Sequence, residues 1–176
     1  EVWGIPYPSK LLGATVAGAA LYATITPRPD DADEVIAIGR KAADYLISLN
    51  LPAGKPLEFM PATYAVAGAF NKYQKPFMVR KNVMMNFPCV AADAYLSFYD
   101  VTQDKKYLEA AIKVAKTYKK LQLAGGSWYQ LVDNSTGKGA YPMLLNPVKV
   151  IRFADRLVNQ YGLIEYKEMR DKAFDY

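Results

Sequence analysis

Apolar and polar positions follow the helical period in six stretches of the chain, separated by alternately short and long connections. The first stretch, about residues 9–26, is rich in alanine, glycine and larger apolar residues on nearly all sides, as a buried helix is. Ser9 is its expected N-cap, and Pro27-Arg28-Pro29 ends it. The second, about 31–50, is amphipathic, with Val35, Ile38, Ala42, Tyr45, Leu46 and Leu49 on one stripe. Asp30, Asp31, Asp33 and Glu34 crowd its positive N-terminal end. The third, about 88–101, is again small and apolar on most sides, and Thr102-Gln103-Asp104 turns the chain into a fourth over 105–122. There Tyr107, Leu108, Ala111, Val114, Ala115, Tyr118 and Leu121 recur at helical spacing. A fifth helix is expected over 147–161, ended by Gly162, and a sixth begins near Glu165. Within the long connection 51–86, residues 63–73 read as a short helix.

These stretches repeat. Shifting the chain by 72 positions lays Leu49-Asn50-Leu51-Pro52-Ala53-Gly54 on Leu121-Gln122-Leu123-Ala124-Gly125-Gly126, with Lys41 on Lys113 and Ala43 on Ala115. A shift of 59 lays Pro88 on Pro147, Phe98 on Leu157, Tyr107 on Tyr166 and Lys113 on Lys172 without a gap. The unit is a buried helix, a short turn, an amphipathic helix and a long loop. Because the turns within a unit are short and the return loops are long, all long loops gather at one end. The fold class expected is therefore all-α, with hairpins at about 9–50, 88–122 and 147–176 forming an (α/α) toroid or an incomplete part of one. The 176 residues fit a single domain. The chain opens at Glu1 without methionine or a signal peptide and closes inside a helical run, which points to a processed product or an excised segment.

The formal charge of +5 changes little, since the basic residues are dispersed and Lys105-Lys106 and Lys119-Lys120 sit on solvated helix faces; no nucleic-acid partner is expected. No window is apolar enough to span a bilayer. The chain has no histidine, which removes Ser-His-Asp and Cys-His catalysis and histidine zinc sites. Its one cysteine, Cys89, lies in an apolar helix start and reads as a buried structural thiol. No cofactor and no metal is expected.

The run Ala94-Tyr95-Leu96-x-Phe98-Tyr99-x-x-Thr102-x-Asp104-x-x-Tyr107-Leu108-x-Ala110-Ala111, leading into Leu121-Gln122 and Gly125-Gly126-Ser127-Trp128, resembles the six-hairpin glycosidases and the related α/α-barrel polysaccharide lyases. The likeness covers about 86–176 well and 9–54 weakly. Gln122, Gly126 and Trp128 also satisfy a Q-x-x-x-G-x-W pattern that recurs in triterpene-cyclase toroids. The acid run Asp30-Asp31-Ala32-Asp33-Glu34 does not supply the cyclase acid, because it sits on the short-turn side and caps a helix. The resemblance implies a carbohydrate-active domain, of glycoside hydrolase or polysaccharide lyase type, acting on a poly- or oligosaccharide in a secreted or periplasmic setting. The alternatives are a non-catalytic glycan-binding module and a helical protein-interaction scaffold.

Sugar sites combine flat aromatic surfaces, amides and one or two carboxylates. Trp128, Tyr129, Gln130 and Asp133 offer that set within one loop, where alternation predicts a short extended piece. Trp128 reads equally as a plug between hairpins, and Asp133 as the head of an Asx turn in Asp133-Asn134-Ser135-Thr136-Gly137. Further candidate carboxylates are Glu58 and Asp93, the latter aligned with Arg152 and able to form a structural pair instead. Arg80 and Lys81 would suit a uronate. Tyr141, with Tyr64 and Tyr73, can line the mouth of the ring. An incomplete ring would expose apolar hairpin flanks, a route to a homo-oligomer.

Overall fold

The computed structural model describes residues 7–64 and 81–176. Six α-helices appear there: α1 Pro8–Ile25, α2 Pro29–Ser48, α3 Pro88–Thr102, α4 Lys105–Leu121, α5 Val148–Asn159 and α6 Lys167–Phe174, the last preceded by a 3-10 turn Ile164–Tyr166. Two short strands, β1 Asn82–Met84 and β2 Leu131–Asp133, form an antiparallel ribbon. The protein is thus mostly helical, and no described helix is long and apolar enough to cross a membrane. The short helix expected over 63–73 lies, from residue 65 on, outside the described residues, as do Tyr73 and Arg80.

Two helix starts differ from the sequence reading for one reason. Pro8 and Pro29 each take a first-turn position, where a missing N–H costs nothing, so the N-caps are Tyr7 and Arg28 and both helices begin earlier than expected. Ser9 is therefore a buried residue inside α1, its hydroxyl without a partner, rather than a cap. At the α3–α4 corner the reading holds: Gln103 adopts φ 55°, closing on the Tyr99 carbonyl, and the Asp104 carboxylate caps α4 by accepting the Lys106 N–H at 3.2 Å.

The helices pair as three hairpins. α1 lies against α2 and α3, α3 against α4 and α5, and α5 against α6. α1 meets α3 closely enough that a Cβ on Gly13 would stand 3.2 Å from the Ala91 Cα, so Val16, Ala19, Ala91, Ala92 and Ala94 share one core with Tyr95 and Phe98. Phe98 and Leu157, Tyr107 and Tyr166, Ala43 and Ala115 are all buried, and Gly54 and Gly126 both adopt positive φ.

α2 is rotated relative to the expected stripe. Gly39, Ala43 and Leu46 are its buried residues, while Ile38 and Tyr45 are 52% and 55% exposed. Gly39 is the point of closest approach, where a Cβ would stand 2.7 Å from both Ala19 and Phe98. On the same helix Arg40 bonds the Asp104 carboxylate at 2.9 Å, and Asp44 takes the Lys106 ammonium and the Tyr107 hydroxyl at 3.0 Å each.

Candidate functional site

The long loops gather at one end, beside the C-termini of α2 and α4 and the N-termini of α3 and α5, and direct contacts hold them together. The Asn134 side chain accepts the Leu57 N–H at 2.9 Å, Gly137 packs on Pro56, the Thr117 hydroxyl donates to the Glu58 carbonyl, and the Thr63 hydroxyl accepts the Met84 N–H. In the ribbon, Asn82 pairs with Asp133, Val83 with Val132 and Met84 with Leu131, with Val83 and Val132 in the core. A third extended piece joins alongside, through bridges Tyr129 to Leu144 and Val132 to Gly139 and the Gln130 N–H donating to the Met143 carbonyl at 2.8 Å.

Against this edge lies a groove of about 240 Å³ lined by Met84, Gln130, Leu131, Tyr141 and Met143. Tyr141 is 59% and Met143 51% exposed at its rim. Leu131 and Met84 form the floor, backed by the buried Tyr64 and by Tyr7. Gln130 and Tyr141 are thus the two sequence candidates that the fold brings into one concavity. Met84 and Met143 escaped the sequence reading. Nothing in a single strand reveals that residue 143 returns beside residue 130, and methionine carries no recognition signature of its own.

The other candidates have different surroundings. Trp128 is fully buried: its ring meets Tyr118 edge-on at 5.7 Å, and its indole N–H donates to the Tyr118 carbonyl at 2.8 Å, so it presents no face to a ligand. The Tyr118 hydroxyl in turn donates to the Met85 carbonyl and accepts the Cys89 N–H at 3.1 Å. Burial pushes the Cys89 thiol up to about 12, so it is no nucleophile near neutrality. Tyr129 is half-buried, its ring lying over Gly139. The preceding Leu121-Gln122-x-x-Gly125-Gly126 motif is a junction between hairpins: the Gln122 amide donates to the Gly126 and Met169 carbonyls at 2.8 and 2.9 Å.

The three candidate carboxylates are each engaged. Asp93 bonds Arg156 at 2.7 Å and lies 3.8 Å from Arg152, so the structural pair read from the repeat exists but its main partner is one helical turn further on. Glu58 accepts the Gly54 N–H at 2.9 Å, which lowers its pKa, with Lys120 adding to the effect at 3.4 Å. Asp133 does head an Asx turn, accepting the Ser135 N–H at 2.7 Å and the Ser135 hydroxyl, and its other oxygen lies 2.8 Å from the Lys81 ammonium.

The Lys81 ammonium and then the Ser135 hydroxyl hold the Asp133 carboxyl at about 2. A carboxyl whose folded value is depressed stabilises the fold above its unfolded value, about 3.9, and loses that contribution as pH falls through the folded one. The stability that the Asp133 ion pair and turn contribute is therefore expected to be whole above about pH 4 and to fall away between about pH 4 and pH 2, the carboxyl itself titrating at about 2. The carboxyl carbon shift of Asp133, followed by NMR, checks this; a midpoint near the ordinary carboxylate value would remove the assigned pair.

The chain matches no protein-family model and no curated protein sequence.

Proposed function

We propose that this chain is a helical-hairpin domain of a carbohydrate-active protein, an arc of an (α/α) toroid, that binds a poly- or oligosaccharide on its long-loop face. The observation that carries the reading is the groove, where an exposed tyrosine ring and the Gln130 amide meet over an apolar floor of Met84 and Leu131. A pyranose has one C–H face that packs on such a ring and hydroxyls at its rim that a primary amide can both donate to and accept from. The serial contacts of α1, α3 and α5, with α2, α4 and α6 as their hairpin partners, support the arc. Binding fits better than hydrolysis or elimination, because Asp133, Glu58 and Asp93 each hold a cation and the described residues offer no pair of uncommitted carboxylates across the groove.

On this reading, Tyr141→Ala lowers affinity for a glycan-array hit about tenfold, about 1.4 kcal/mol, with no change in helical content by circular dichroism. Unchanged affinity in that variant would sink the assignment of the groove.

A second reading, a protein-interaction scaffold or homo-oligomer, draws on the outer flanks of the hairpin row. Leu21, Ile25, Ile38 and Tyr45 are exposed on the first hairpin, and Val148, Ile164 and Phe174 on the third. A concentration-dependent mass by light scattering, with no glycan response, would favour it.

A further inference from the structure

The proposed glycan groove has no charged side chain among its described lining residues: Met84, Leu131 and Met143 are apolar, and Tyr141 and Gln130 are neutral. Its charge is set next door. Asp133 stands opposite Asn82, as Leu131 stands opposite Met84, and side chains alternate along a strand. Asp133 therefore leaves the ribbon on the same face as the groove floor, two residues on, or about 7 Å along the strand. There its carboxylate is 2.8 Å from the Lys81 ammonium and takes the Ser135 N–H and hydroxyl as well. Of the two cations that the sequence offers to an acidic sugar, Lys81 is already paired with this chain's own aspartate, and Arg80 lies outside the described residues.

Resting on the glycan-binding reading, we infer that the groove selects neutral sugars over uronates and that the Lys81–Asp133 ion pair at its end enforces the choice. A neutral pyranose loses little hydration when its C–H face covers Tyr141 and the apolar floor, and its hydroxyls exchange water for the Gln130 amide. A uronate carboxylate on the same floor sheds its water with no free positive charge among the described lining residues to receive it, and it meets the Asp133 carboxylate at the groove end. Among the described residues it gains a cationic partner only by drawing Lys81 away from Asp133, and that leaves Asp133 without its cation.

The test is a glycan array holding neutral and uronate oligosaccharides of each linkage as matched pairs, probed with the full 176-residue chain. Wild type is expected to bind neutral members and to leave their uronate partners at least about tenfold weaker. Asp133→Asn keeps an oxygen for the Ser135 N–H but frees the Lys81 charge, so uronate binding is expected to rise about tenfold, in a salt-sensitive manner, with neutral binding held. Lys81→Gln is expected to keep neutral binding and gain no uronate binding. Wild-type uronate binding equal to neutral binding, in a form that Tyr141→Ala abolishes, would overturn the selection while leaving the glycan site standing. No gain in Asp133→Asn, with neutral binding intact, would do the same. Absence of every hit would instead overturn the glycan-binding reading and the selection with it.

Discussion

Trp128→Ala is expected to lower the unfolding free energy by about 3–5 kcal/mol, the range for deleting a large aromatic from a packed core. The side chain is fully buried, and the surrounding ring and backbone are themselves fixed. Tyr118, its edge-on neighbour, is tied at its hydroxyl to Met85 and Cys89, and the Trp128 backbone carbonyl accepts the Leu145 N–H at 2.7 Å. Such a site cannot collapse into the space left behind, which places the cost toward the upper part of that range. The indole N–H bond to the Tyr118 carbonyl is a separable part of the effect: Trp128→Phe keeps most of the volume and orphans that buried carbonyl, for a cost of about 1–3 kcal/mol. Urea unfolding followed by circular dichroism measures both. A loss below about 1 kcal/mol in Trp128→Ala would mean that the ring is not a wedge, and would return it to the list of sugar platforms.

Trp128 also shows where the sequence stops being informative. An aromatic after Gly-Gly-Ser, in a loop that also carries tyrosine, glutamine and aspartate, has the composition of a carbohydrate site. What decides its role is that Ser127 and Trp128 are clamped to residue 145, eighteen positions on, through the Ser127 hydroxyl and the Leu145 N–H, and no local pattern encodes that. Most helices were legible because their signals are local: Pro88 at a first turn, Thr102-Gln103-Asp104 as a corner, Gly162 past a C-terminus. Gly54 and Gly126, which the sequence aligns, both adopt positive φ.

The rotation of α2 was not legible, because six apolar positions define a stripe only to within a residue or so, and the close approach of Gly39 to Ala19 and Phe98 and the reach of Arg40 and Asp44 to Asp104, Lys106 and Tyr107 join residues far apart in the chain. The groove was half-legible. Gln130 and Tyr141 were candidates by type, yet the methionines that make its floor and rim become neighbours only through the pairing of residues 82–84 with 131–133 and the return of Met143. Asp133 and Lys81 were read as separate functional groups, one acidic and one uronate-binding. Their 2.8 Å contact makes them a single neutral unit.

Arg156→Met is expected to cost about 2 kcal/mol, felt mainly by the third hairpin. Arg156 is the polar fastening between α3 and α5. One guanidinium nitrogen bonds the Asp93 carboxylate at 2.7 Å, the Asp93 carbonyl at 3.0 Å and the Ser97 hydroxyl at 3.0 Å, while the other reaches Asp100 at 3.0 Å. The Tyr161 hydroxyl joins the cluster, donating to Asp100 at 2.6 Å. Exposed ion pairs contribute under about 1 kcal/mol, and breaking fully buried ones costs about 3–5. With Arg156 19% exposed and its two acids 22% and 35%, the expected value falls between those limits. Most of the loss comes from Asp93 and Asp100, two turns apart on α3, left without the guanidinium they share, with only the exposed Arg152 3.8 Å from Asp93, and not from a missing attraction. That origin has a signature. Adding Asp93→Asn and Asp100→Asn to Arg156→Met removes the uncompensated charges and should restore about half of the lost stability, whereas simple loss of contacts would make the triple variant worse than the single. Hydrogen exchange supplies the spatial half of the test: amides of residues 148–174 should lose protection in Arg156→Met while those of α1 and α2 keep theirs, since α5 and α6 reach the rest of the helical core chiefly through α3. A uniform loss of protection across all six helices would show instead that the three hairpins unfold as one cooperative block, with Arg156 as part of a common core and not a fastening between units.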